Sequence, residues 1–364
     1  MDFKGRQTKI QSILSQNRLD GLLVSHLPNI RYLCGFTGTA GAVLITENQS
    51  LFFTDGRYTT QSHDEVDGSK VVIEQQPPLL AAAKWIAANR KTLGPRGLRI
   101  GIEGEHLSVA TRDRLAEVLP SFCRLRKSSA IVERLRMVKD VQEMSCIRAA
   151  VRVGARLFDR ALEIIRPGVK ESEVAAEMEY AARQAGSQEM SFPTIIASGK
   201  RSALPHGRAS AARIPARGFV VCDFGVILTG YCSDMTRTVH VGRPTAEARR
   251  VYQAVRLAQR ASIEAVRPGV SVGDVDLAGR KLLQREGLAR YFTHSTGHGV
   301  GLEIHESPRI AVGQTEILQP GMVITIEPGV YLPGRMGVRI EDMVVVTERG
   351  CEVLASTTKD LITL

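Results

Sequence analysis

The 364-residue sequence predicts an α/β (α+β) protein with two units in series, the second built from two similar halves. Three observations support this. Short apolar runs alternate with helical patterns over residues 1–128. A charged junction, "RKSSAIVERLRMVKD", then leads to a capped helix start at Asp140. Beyond it, segments recur at an offset near 101 residues. The division expected is an N-terminal unit over 1–128, a linker over 129–139, and a second unit over 140–364.

In the first unit, strands are expected at "GLLVSHL" (21–27), "AVLITE" (42–47), "LFFTD" (51–55), "KVVIEQ" (70–75) and "LRIGIEG" (98–104). Each is rich in branched or aromatic residues and bounded by polar ones. The "ENQS" stretch (47–50) reads as a hairpin turn, and helices are expected over 4–16 and 77–92. No catalytic residue types cluster here. In the second unit, Asp140 with Glu143 makes a capping-box-like start, and "RPG" stops the helix near Ile165. The repeat follows. "IRPGVKESEV" (165–174) matches "VRPGVSVGDV" (266–275). "ASGKRSALPH" (197–206) matches "STGHGVGLEIH" (295–305), which aligns His206 with His305. "GFVVCDFGV" (218–226) matches "GMVITIEPGV" (321–330), which brings Asp223 near Glu327. Two such halves face each other across one cleft.

Composition narrows the function. The net charge of +10 comes from arginines spread along the chain, and aromatics are only 5%, so nucleic acid binding is not expected. No apolar run is long enough for a membrane span. The N-terminus has no secretory h-region, and the six cysteines never form C-x-x-C; a cytoplasmic protein with reduced thiols is expected.

The repeat points at its acids. Asp223 and Asp234 stand eleven apart in the first half, Glu327 and Glu341 fourteen apart in the second. Each pair reads as strand, turn, strand, which brings both carboxylates to one face. Asp223 and Glu327 follow the apolar runs "FVVC" and "MVITI", so they should be buried, and buried carboxylates need a cation. Four converging negative charges match two divalent ions. Oxygen-rich ligands with one imidazole favour Mn²⁺ or Co²⁺, with Zn²⁺ and Fe²⁺ also compatible. A competing account gives the acids to arginines, Asp234 to Arg237 and Glu341 to Arg339. Of the eight histidines, three lie in "HSTGHGVGLEIHESP" (294–308). His294 and His298 stand four apart, but Gly297 and Gly299 make this a poor helix, so it is not a helical zinc motif.

Five blocks carry a family resemblance: "ALPHG" (203–207), "DFG" and "SDMTRTV" within 223–239, "HSTGHGVGLEIHE" (294–306), "PGMVITIEPG" (320–329) and "GVRIED" (337–342). Together they resemble the pita-bread metallopeptidases, in the branch of Xaa-Pro aminopeptidases and prolidases. "NIRYLCGFTGTAG" and "LFFTDGRY" look like the creatinase/prolidase-type N-terminal domain. The resemblance implies a pseudo-twofold catalytic domain with a dinuclear centre held by Asp223, Asp234, His298, Glu327 and Glu341. It implies a hydroxide bridging the two metals as nucleophile, Glu327 as proton shuttle, and His206 and His305 as oxyanion-stabilising contacts to substrate. His294 is assigned a loop or supporting role. Arg309 and Arg339 join the substrate-binding set; Arg309 reads equally as a solvated loop residue. A homodimer is implied too.

The expected reaction is hydrolysis between an N-terminal residue and a following proline in a small peptide, an Xaa-Pro aminopeptidase. The alternative is an Xaa-Pro dipeptidase restricted to dipeptides. A creatinase-like amidinohydrolase and a non-catalytic binding module are disfavoured because all five ligand positions are intact. A methionine aminopeptidase lacks a preceding domain like 1–128.

Overall fold

The computed structural model describes residues 1–89 and 97–364. It divides into two compact units, Met1–Arg136 and Met137–Leu364.

The first unit is a mixed six-stranded sheet. Its strands are β1 (Gly21–Val24), β2 (Ala42–Thr46), β3 (Ser50–Thr54), β4 (Lys70–Ile73), β5 (Leu98–Glu103) and β6 (Cys123–Ser128). Their spatial order is β4-β3-β2-β1-β5-β6. The "ENQS" turn joins β2 to β3 in an antiparallel hairpin, closed by Thr46 N–H to Gln49 O at 2.9 Å. The strand expected over 21–27 stops at Val24, because Leu27–Cys34 is a helix with a proline in its first turn and Gly35 in the left-handed conformation at its end. The helix expected over 77–92 is observed as Pro78–Ala88; its last expected residues, 90–92, lie outside the described residues. Strand β6 and the helices Thr59–Glu65, Val109–Val118 and Ile131–Arg136 had no clear periodic signal. Ile131–Arg136 is tied to this unit by polar contacts. Asn29 donates to Glu103 at 2.7 Å and to Glu133 at 2.6 Å, and Arg136 donates to Asn29 at 2.7 Å.

The second unit opens on the helix Val141–Ile164, with the capping box between Asp140 and Glu143 formed. Its first half adds the helix Glu171–Gln184 and strands β7 (Glu189–Met190), β8 (Ile195–Ser198), β9 (Gly218–Phe224), β10 (Val226–Leu228), β11 (Tyr231–Cys232) and β12 (Met235–Val241). Its second half has the helices Ala246–Ala265 and Val272–Arg285. Strands β13 (Gly297–Gly299), β14 (Glu306–Ile310), β15 (Val323–Ile326), β16 (Gly329–Leu332), β17 (Met336–Arg339), β18 (Asp342–Val346) and β19 (Cys351–Val353) follow. The halves repeat one plan. β9 lies between β8 and β12, and β15 lies between β13 and β18. Each half also carries two long helices.

Alternation along these strands separates core from cleft. On β9, Val220, Cys222 and Phe224 join the apolar cluster under the first helix pair, which leaves Asp223 on the other face. On β15, Ile324 and Ile326 pack with Val344 and Val346 of β18, which leaves Thr325 and then Glu327 on the other face. The last β15–β18 pair is Ile326 with Asp342, so Glu327 and Glu341 stand one step further along the same register. In the first half, the β9–β12 register ends at Phe224 opposite Met235, with Asp234 just beyond.

The β9–β10 corner depends on Gly225. A Cβ there would lie 1.8 Å from the Ser233 carbonyl oxygen, so the backbones meet where only hydrogen fits. Gly225→Ala should therefore cost on the order of 3 kcal/mol by overpacking. Gly350→Ala, where nothing lies within 4 Å, should stay within about 0.5 kcal/mol. Urea unfolding of both variants checks this; equal midpoints would contradict it.

Candidate metal centre

Strand ends from both halves deliver four carboxylates to one cleft. Asp223 is at the end of β9, Asp234 precedes β12, Glu327 follows β15 and Glu341 lies between β17 and β18. Asp234, His298 and Glu341 each offer one ligand atom, all within 4.8 Å of one another. His298 on β13 lies 3.5 Å from Glu327 and 3.6 Å from Asp234, measured from Nε2 to carboxylate oxygen. The cleft is a cavity of about 730 Å³ that all five share with His206, His294, His305, Arg208, Arg309 and Arg339.

The arginine account of these acids fails in one case and changes partner in the other. Arg237 is fully buried and pairs with Asp342 at 2.6 Å, not with Asp234. Arg339 pairs with Asp223, and its other donors go to Thr236, Tyr331 and Pro205. Arg339 thus lines the cleft while its hydrogen bonds are taken up by the protein. Asp223 Oδ1, Asp234 Oδ1 and Glu341 Oε1 are buried with no hydrogen-bond partner. Leaving three carboxylate oxygens bare in this way is costly unless a cation meets them.

The imidazole fits the same gap. His298 Nδ1 lies 3.0 Å from the Gly299 carbonyl, so the hydrogen-bond network puts the proton there. Nε2 then turns a lone pair toward two carboxylates at distances too long for hydrogen bonds. Two donor atoms on one ion, each about 2.1 Å from it at a near-tetrahedral angle, sit roughly 3.4 Å apart. Burial, with His305 adding to it, holds the His298 imidazolium pKa down at about 4, so the ring is neutral and ligand-ready. Thr325 braces the pair, accepting from His298 N–H at 3.1 Å and lying 3.4 Å from Glu327.

Strand β13 confirms that His294 and His298 are not on a helix. His294 instead receives the Tyr331 hydroxyl at 2.9 Å on Nε2, and Tyr331 in turn takes a hydrogen bond from Arg339 at 2.6 Å. Thr236 donates to Glu341 at 2.6 Å. Tyr331 and Thr236 carried no sequence signal. The repeat does pair Tyr331 loosely with Ile227, a non-polar residue, so it gave no warning of a hydroxyl there. His206 and His305 both line the cleft, and the His305 ring stands 4.4 Å from that of His298.

The acids crowd one another. Burial raises the Glu327 carboxyl to about 8, with Arg339 opposing and Asp223 adding to the rise. Burial and then neighbouring carboxylates hold Asp234 and Glu341 well above their usual range. The metal-free fold thus keeps protons that the unfolded chain releases near its ordinary carboxylate pKa. Its stability is full below that range and falls as pH rises toward about 8. The melting temperature of chelated protein should drop between about pH 5 and pH 8. Divalent ions must displace these protons, so Mn²⁺ binding near pH 7 should release at least about one proton per chain. Calorimetry in buffers of different ionisation enthalpy measures this, and binding heat independent of buffer would contradict it.

Residues 145–348 match the model of metallopeptidase family M24, and residues 6–138 match the creatinase/prolidase N-terminal domain. The chain is 36% identical to an Xaa-Pro dipeptidase of Pyrococcus furiosus, over 99% of this chain and 100% of that one. Among solved structures it resembles an Xaa-Pro dipeptidase from Bacillus anthracis, with TM-score 0.95 and 38% identity over the full length of both. An X-Pro aminopeptidase from Thermotoga maritima superposes with TM-score 0.89 and 33% identity, over 98% of this chain and 99% of that one. No helix among the described residues is long and apolar enough to cross a membrane. With both domain models matched in order and the pita-bread architecture formed, the chain belongs to metallopeptidase family M24, with a creatinase/prolidase domain ahead of its peptidase domain.

Proposed function

We propose that the chain is an Xaa-Pro dipeptidase, the alternative reading of the sequence rather than the leading one. The observation that carries this is the placement of Arg309. It stands directly opposite His298 in the β13–β14 register, so both side chains share a face of the sheet. Arg309 lines the cleft and is exposed, and among the described residues its guanidinium has no acidic partner. One residue of extended chain spans about 3.5 Å, so the terminal carboxylate of a dipeptide lies one residue beyond the scissile carbonyl. An arginine beside the metal ligands reaches that point, and its fork suits a carboxylate. The two dipeptidase relatives, similar over essentially their whole length, support the same choice. Preference for proline rests on those relatives alone.

Asp223, Asp234, His298, Glu327 and Glu341 would hold divalent ions. When bound, such ions polarise the scissile carbonyl and make water acidic enough to attack near neutral pH. The chain's own groups do the rest. Glu327, at the cleft and braced by Thr325, takes the proton of the attacking water and passes it to the departing proline nitrogen. Burial, with His206 adding to it, lowers the His305 pKa; the imidazole donates its N–H to the carbonyl oxygen as charge builds there. His206 offers a second N–H to that oxygen from the other half. Arg339 works through Asp223, which it fixes in place.

Glu327→Gln should cut turnover by about 10²–10⁴-fold while the protein stays folded. His206→Ala and His305→Ala should each lower kcat by about 10²–10³-fold with bound metal retained. Steady-state kinetics with metal analysis of the same samples checks both; metal lost with either histidine would make it a ligand. Manganese-loaded protein should cleave an Xaa-Pro dipeptide well and an Xaa-Pro-Yaa tripeptide poorly, and the reverse preference would make it an aminopeptidase.

A further inference from the structure

Arg208 shares the cleft with Arg309, is exposed, and among the described residues its guanidinium has no hydrogen bond or ion pair. Its backbone, by contrast, is held firmly. The Arg208 carbonyl accepts from Arg201 Nη2 at 2.8 Å, and Arg208 N–H donates to the His206 carbonyl at 2.9 Å. Arg201 is in turn seated on Glu171 at 3.0 Å. Glu171 is 0% exposed and also accepts from Ser198 Oγ at 2.9 Å and Ser210 Oγ at 2.7 Å, one on each flank of the segment. An anchored loop therefore presents a free cation to the cavity.

Position in the repeat makes the arrangement two-sided. Arg208 follows His206 by two residues, and Arg309 follows His305, the repeat counterpart of His206, by four. One arginine comes from each half. Among the described residues, the third arginine lining the cavity, Arg339, is spent on Asp223 and Tyr331, which leaves Arg208 and Arg309 free to meet a substrate anion. A carboxylate offers about four acceptor sites, and one guanidinium fork fills about two of them.

We propose that Arg208 is a specificity-determining residue that closes, with Arg309, a two-walled clamp on the free C-terminal carboxylate of the substrate. This rests on the dipeptidase reading. The clamp reads substrate length because only a dipeptide carries its negative charge within reach of both arginines. Replacing that carboxylate by an amide removes the charge and two of its acceptor sites.

The test compares Ala-Pro with Ala-Pro amide on manganese-loaded wild type, R208Q, R208K and R309Q. Wild type should strongly prefer the free acid. In R208Q the ratio of kcat/KM for acid over amide should fall about tenfold or more, chiefly through KM for the acid, and R208K should regain part of it. A merely structural loss would lower both substrates together and leave the ratio alone. Wild-type preference for the acid with an R208Q ratio within about twofold of wild type overturns the clamp and leaves the dipeptidase reading standing. Wild type that cleaves the amide as well as the acid overturns both.

Discussion

Four carboxylates and one neutral imidazole converge in a cavity that has too little positive charge of its own. The second unit is organised around that constraint. Arg339 satisfies one oxygen of Asp223, and Thr236 satisfies one of Glu341; the remaining buried oxygens point inward with no partner. A fold stable without ions would pair these groups or lose them. Here the nearby Arg237 is directed away, to Asp342, which also takes Gln259 at 2.8 Å and Lys359 at 2.7 Å. That network uses the available charge to join β12 to β18, and so the two halves, while the cleft stays electron-rich.

The duplication explains how so much charge is concentrated. The first half contributes the three-stranded sheet β12-β9-β8 and the second the five-stranded sheet β14-β13-β15-β18-β19, and the central strands β9 and β15 lead to acids at corresponding places. Each half also uses a buried acid to hold the loop that carries its histidines. Glu171 gathers Ser198, Arg201 and Ser210 around the His206 segment. Asp276, equally buried, accepts from Thr296 Oγ1 at 2.8 Å and Arg280 Nε at 2.7 Å, and Arg280 reaches the His294 carbonyl. The solution is alike in the two halves, although the acids do not occupy matching positions in the repeat. Loops anchored in this way would suit the proposed chemistry, which needs donors aimed at a developing oxyanion before the substrate arrives.

Much of this was legible in the sequence because it rests on local patterns. The capping box at Asp140, the hairpin at "ENQS" and the alternation that buries Cys222 while turning Asp223 to the cleft all follow from short-range rules. So does the absence of a helix at His298, between Gly297 and Gly299; that Gly297 sits on a strand where a Cβ would lie 1.9 Å from the Thr325 carbonyl is visible only in the fold. What was not legible depends on long-range pairing. Arg237 lies three residues from Asp234 in sequence, and proximity suggested an ion pair, but its true partner is 105 residues away. Tyr331, Thr236 and Asp276 are ordinary residue types whose roles come from strands that meet only in the folded chain. Arg208 gave no signal at all, since a loop arginine looks the same whether it faces a cleft or solvent.

The converging carboxylates either bind divalent cations or form a strained cluster that stays protonated, and the two cases differ in metal uptake. Equilibrium dialysis of chelated protein against Mn²⁺ near neutral pH, with Asp234→Asn/Glu341→Gln as the paired control, measures this directly. About two ions per chain are expected for the native sequence, with a clear loss in the double variant. Uptake of less than about one ion per chain, or the same uptake in both proteins, would contradict a cation site.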